Sequence, residues 1–220
     1  MELEYVFDRL PMLLYREKCG NKKYDVAQGM LNAHAKESFL SLGWEAEHVI
    51  KKRATEAHVL DFYKEFSVPG RDQPLRVGVE VEFGYKARAD TDIKKFQVAH
   101  PRRKLDVGVL VNLVKVEAAR ADNAIAYFEA TRQSLKDLTP RTIECPVLCI
   151  GLSRLDTEVV ELSESVFDTY KQMTGAGSAA TRAHIIRSLM QGIPIRDIRR
   201  LPVPSLTKQQ PDFPRRRLAD

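Results

Sequence analysis

The stretch Leu60–Tyr85, LDFYKEFSVPGRDQPLRVGVEVEFGY, decides how the rest of the chain is read. From Val77 to Phe83 it alternates strictly. Val77, Val79, Val81 and Phe83 fall on one face, and Gly78, Glu80, Glu82 and Gly84 on the other, the pattern of a strand with an apolar and an acidic side. Leu60 to Phe66 is a second short apolar and aromatic run, and Pro69, Gly70, Asp72 and Pro74 supply turn chemistry between the two. The simplest product is an antiparallel hairpin. With the turn centred near Arg71, Asp61 lies across from Glu80 or from Glu82, with Cβ atoms roughly 4.5–5.5 Å apart, and the intermediate register puts Val81 there instead.

Like charges facing each other destabilise a sheet, so three acids brought towards one point need either open water or a cation. Magnesium suits such a cluster, because it takes one or two carboxylates, phosphate oxygens of a substrate and waters. An isolated E-x-E in an alternating strand reads first as a solvated polar face. The neighbourhood decides between them.

DFYKEF followed by RVGVEVEFG resembles the active-site hairpin of the BamHI/BglII group of type II restriction endonucleases, an E-x-E variant of the PD-(D/E)xK nuclease fold. In that group an aspartate opens the first strand and an acid-x-acid or acid-x-Gln pair closes the second. The similarity continues through DVGVLV from Asp106, ADNAIAYFEA around Asp122 and CPVLCIGL from Cys145, over roughly residues 40 to 155. It implies an α/β fold with a mixed central sheet sandwiched by helices. It further implies magnesium-dependent phosphodiester hydrolysis, with about two Mg2+ per active site, Asp61 and Glu80 as central metal ligands, and Glu82 orienting or deprotonating the attacking water. Trp44-Glu45-Ala46-Glu47 matches a Trp followed three residues later by an acid that completes the metal site, which makes Glu47 the fourth acid. The residue pattern alone reads Glu47 as a solvated side chain on a charged helix with Glu45, His48, Lys51, Lys52 and Arg53. For DNA contacts the resemblance points to the segment after the E-x-E strand, with Lys86 and Arg88, and to the loop holding Asp122 and Asn123. Arg88 can pair with a guanine edge, and Asp122 or Asn123 can read cytosine or adenine; surface charges and helix caps account for the same residues. Lys64 and Lys86 lie near enough in sequence to contact phosphate, or are simply solvated.

Composition is consistent with this. At 220 residues, with 44% hydrophobic and 30% charged residues, the chain is an ordinary globular protein with room for a substantial core. We expect one endonuclease domain over residues 1–201 and a basic, proline-rich tail over 202–220, which holds Arg215, Arg216 and Arg217. Net charge of +5 leans towards nucleic acid. No apolar run approaches a membrane span and MELEYVFDRL lacks the basic start of a signal peptide, so a cytoplasmic protein without membrane contact is expected. Cys19, Cys145 and Cys149 have no zinc spacing and read as reduced thiols.

Along the chain, periodicity predicts a short or broken helix over Tyr5–Lys18, a better one from Asp25 to Trp44 ending near Gly43, and Trp44 anchored in the core. Ala87–Ala99 reads as a helix with Ile93 and Phe96 inward and Asp90, Asp92, Lys94 and Lys95 outward. Leu105–Val114 reads as a buried central strand, Glu117–Leu138 as one helix, Pro146–Leu152 as another buried strand, Val159–Met173 as a helix and His184–Met190 as a short helix. These elements make a mixed α/β architecture, and the resemblance implies a homodimeric endonuclease that cuts double-stranded DNA at a palindromic site within a restriction-modification system. A DNA-binding or repair nuclease of the same fold without a fixed site, and a non-enzymatic α/β domain with solvated acids, are the competing readings.

Overall fold

The hairpin forms as its alternation demands. In the computed structural model, strand β3 (Ala57–Phe66) pairs antiparallel with strand β4 (Leu75–Glu82) from Phe62↔Val79 to Phe66↔Leu75, around a turn in which Gly70 takes φ 78°. Of the expected registers, this is the one that faces Asp61 with Glu80. The structure describes residues 2–16, 25–52, 57–84, 86–121, 124–138, 144–155, 157–167, 172–173 and 175–200, with the side chains of 51–52, 57, 86–88 and 176 excepted.

Around the hairpin a five-stranded mixed sheet runs in the order β2-β3-β4-β5-β6. Strand β2 (Glu45–Lys52) pairs antiparallel with β3; β5 (Val107–Leu113) and β6 (Val147–Leu152) add parallel beyond β4. Parallel neighbours need crossovers. Helix α3 (Lys86–Ala99) makes the first, and α4 (Lys115–Ala121) and α5 (Phe128–Leu138) the second. Helices α1 (Glu2–Asp8), α2 (Gln28–Ser41) and, near the C-terminal end, α6 (Ala179–Met190) complete the layers. A separate two-stranded parallel sheet joins β1 (Met12–Leu14) to β7 (Val159–Glu161).

Both faces of the sheet are covered, as a parallel sheet requires. One face packs Phe62, Val79, Val109 and Val111 against α1, α2 and α6, around a fully buried Phe39 whose ring lies 4.4 Å from Phe62 and 5.0 Å from Trp44. The other packs Leu60, Leu105 and Leu110 against Ile93 and Phe96 of α3 and Leu135 of α5. Here small residues set the depth. A Cβ on Gly108 would sit 2.6 Å from the Phe96 ring, so the missing methyl is the seat of α3.

Several expectations change. Pro11 ends the first helix at Asp8, and Met12–Leu14 becomes a strand because β7 offers it a partner. Val159–Glu161 is that partner strand rather than the start of a helix. The 117–138 helix is two helices, separated where Tyr127 bridges to Leu113 of β5. Strand β6 is an edge strand with Leu148 half-exposed, not a buried one. Trp44 is buried as expected, its indole N–H donating to Glu2 Oε2 at 2.8 Å. Cys145 and Cys149 are free thiols that burial pushes up to about 11, whereas Cys19 and the 202–220 tail lie outside the described residues. Among the described residues no helix is long and apolar enough to cross a membrane.

Candidate active site

The β3–β4 ladder stops at Phe62↔Val79, and the next residues turn their chemistry towards one cavity of about 650 Å³. Glu47, Asp61, Glu80 and Glu82 all line it, with Asp92 and Lys95 of α3. Their order across the sheet follows from register. The pairs Ala46↔Phe62 and His48↔Leu60 flank Glu47 and Asp61, so these two face each other across β2 and β3, and Asp61 in turn faces Glu80. One row across three strands thus carries three acids.

Each acid is held differently. Asp61 Oδ2 accepts the Val81 N–H at 2.9 Å, a side chain standing in for a ladder carbonyl just where the backbone pairing ends. Glu82 is buried, and its Oε1 accepts the Gly84 N–H at 2.6 Å while Asn112 Nδ2 donates to its carbonyl. Glu47 lies in β2, not in a charged helix: pairing with β3 overrides the local helical pattern. It takes a left-handed φ of 57° at a break in the ladder, which leaves its side chain 76% exposed and ion-paired to Lys36 at 3.1 Å.

Glu80 is only 2% exposed, so it is not the solvated acid of the blander reading. Both its oxygens lie 2.9 Å from Lys95 Nζ, and Lys95 also contacts Asp92 Oδ1 at 2.9 Å, one helical turn away. Burial, then the charges of Asp61 and Asp92, push the Glu80 carboxyl up to about 9 against the opposing pull of Lys95. Asp92, also buried, is raised by the same desolvation. Lys95 is pulled down by burial, yet Glu80 and Asp92 together raise it.

Asp92 and Lys95 are therefore inward, where periodicity placed them outward, and they are the site residues that sequence reasoning missed. The one available signal was their i, i+3 spacing beside the Ile93 and Phe96 stripe. Lys64 moves the other way. Its ammonium binds the Glu2 carboxylate and the Leu42 carbonyl at 2.6–2.8 Å, tying α1 to the end of α2, and it is not among the residues lining the acidic cavity. Lys86 and Arg88 fall in the first turn of α3, with side chains outside the described residues, as Asp122 and Asn123 are altogether. The flanks of that last segment are tied: Arg120 pairs with Asp25, and Ala126 N–H donates to the Gly84 carbonyl beside the cavity.

Among the described residues no three His, Cys, Asp or Glu side chains converge as a ready metal cage. The reason is visible in the partners just named, since Lys95, Val81, Gly84 and Lys36 each hold one of the acids. The donor set nevertheless suits a hard divalent cation, being all carboxylate oxygen and so short of positive charge that Glu80 retains affinity for a proton with an ammonium already against it.

A family model described as restriction endonuclease BglII/BglIII matches residues 2–152, more than half of the chain. No curated protein matches it.

Proposed function

From membership of the restriction endonuclease BglII/BglIII family, which makes the chain a type II site-specific deoxyribonuclease acting on DNA, we propose that it hydrolyses both strands of a palindromic site with magnesium, as the nuclease of a restriction-modification system. The observation that carries the reading is the row of Glu47, Asp61 and Glu80 across three adjacent strands, opening with Glu82 on one cavity.

In this reading Asp61 and Glu80 hold the metal, two Mg2+ per site, and Glu47 completes the pocket from strand β2. When bound, the divalent ion supplies a water nucleophile at neutral pH and positive charge against the phosphate. The chain does the rest. The Val81 N–H fixes one oxygen of Asp61, and burial on β4 keeps Glu80 from wandering. Glu82, anchored at one oxygen by Gly84, orients the attacking water or takes its proton. Lys86 and Arg88 at the start of α3, and Asp122 and Asn123 beyond α4, supply contacts to phosphate and base edges. Two copies related by a two-fold axis match the two strands of a palindrome, with α3 and the 122–138 region as the contact.

Digestion of a plasmid of known sequence with Mg2+, followed by mapping of the ends, tests this. One set of ends at a single palindrome is expected. Scattered ends, or no cleavage by protein that binds DNA, would overturn it. Sedimentation of the free protein at micromolar concentration is expected to give twice the 25.0 kDa chain mass.

A further inference from the structure

The cavity already contains a cation, and it belongs to the protein. Lys95 places one ammonium 2.9 Å from both oxygens of Glu80, so the carboxylate face that a metal ion would use is filled by a side chain. The same ammonium has a second partner, Asp92, one turn back on α3 and only 4% exposed. A lysine placed merely to neutralise Glu80 needs no second buried carboxylate on its own helix. Asp92 costs desolvation, and what it gives Lys95 is an alternative anion when Glu80 is taken.

We propose that Lys95 is the resident cation of the site, holding Glu80 until a divalent ion displaces it and then remaining with Asp92 alone. This rests on the reading of Glu80 as a metal ligand. Lys95 is then a positioning residue. It keeps Glu80 aimed into the cavity without metal, and it sets the threshold of cation concentration at which the site fills, since an ion must outcompete a salt bridge with both carboxylate oxygens.

The test is calorimetric titration of Mg2+ into the full-length, EDTA-dialysed protein without DNA, alongside melting in EDTA. Lys95→Met is expected to bind Mg2+ about tenfold tighter than wild type, equivalent to about 1.4 kcal/mol, and to melt lower in EDTA, the deficit closing as Mg2+ is added. Lys95→Arg restores the melting temperature. Asp92→Asn takes away the alternative partner, so its Mg2+ affinity falls, which keeps the test open if Lys95→Met does not fold. Lys94→Met, an exposed charge one residue away, leaves the affinity within about twofold and separates displacement from a general field effect. Equal or weaker Mg2+ binding by Lys95→Met, or equal tightening by Lys94→Met, would overturn the displacement while leaving Glu80 as the ligand. Wild-type affinity in Glu80→Gln, or no binding by any form, would remove the metal reading and this inference together.

Discussion

The two ends of one hairpin treat carboxylates in opposite ways. At the turn end, Asp106 receives Arg76 Nε and the Arg76 backbone N–H at 2.9 and 2.8 Å, with Arg71 3.1 Å away. Burial alone would raise its carboxyl, but these bonds hold it down to about 2. At the open end, Glu80 has a single ammonium to answer burial and two neighbouring acids, and stands near 9. Asp106 comes from the residue before β5 and Glu80 from β4. Asp106 is matched donor for acceptor, whereas burial and the neighbouring acids outweigh the one ammonium at Glu80; in the proposed reading an incoming cation makes up that difference.

Replacing the open-end acids should have the largest effect. Asp61→Ala and Glu80→Ala are expected to abolish supercoiled-plasmid cleavage with Mg2+ while DNA binding persists in a gel shift without cleavage-supporting metal; wild-type activity in either would break the comparison at its functional end. Glu82→Gln keeps the shape and the acceptor for Gly84 but loses the charge. A rate loss on the order of a hundredfold is expected for loss of a general base, and cleavage within a few-fold of wild type would instead make Glu82 a hydrogen-bonding positioner of water.

At the turn end the cost falls on stability. Asp106→Asn should lower unfolding stability by about 1–3 kcal/mol, because a charge-assisted pair is lost, with cleavage at permissive temperature within a few-fold of wild type. The sign with pH follows: Asp106 is lowered on folding, so its contribution is full above its ordinary value of 3.8 and is lost as pH falls through about 2. Acid melts of the variant and wild type should therefore converge below that range. The smallest effect sharpens the contrast most. Glu80→Gln in EDTA is expected to melt no lower than wild type, since it removes one of three crowded carboxylates and keeps an acceptor for Lys95; a loss like that of Asp106→Asn would show that Glu80 is structural.

Local pattern carried the hairpin and the buried β5 strand, because alternation and turn residues act within a few positions, but it left the hairpin register open among three, and the pairing in the sheet selected the one that faces Asp61 with Glu80. It also carried the grouping of Asp61, Glu80 and Glu82. What it missed depends on distant partners. Asp92 and Lys95 form a polar stripe that looks solvated until the polar cavity in front of it is known. The sequence of β2 is charged enough for a surface helix, and only pairing with β3 makes it an edge strand, in which Glu47 takes a left-handed φ and lines the cavity. Lys64 looked free near the cluster until Glu2, 62 residues earlier, took it.

The seat of α3 on Gly108 reaches further than packing. Lys95 is one residue before Phe96, and Phe96 rests where Gly108 has no side chain. The reach of the ammonium to Glu80 is thus gauged from a strand that contributes no acid to the cavity. A single methyl added at Gly108 would act as a shim under the helix, lifting Phe96 and with it the charge beside Glu80. The tolerance of the site is set by an atom that is not there, in a part of the sheet where a search for catalytic residues would not look.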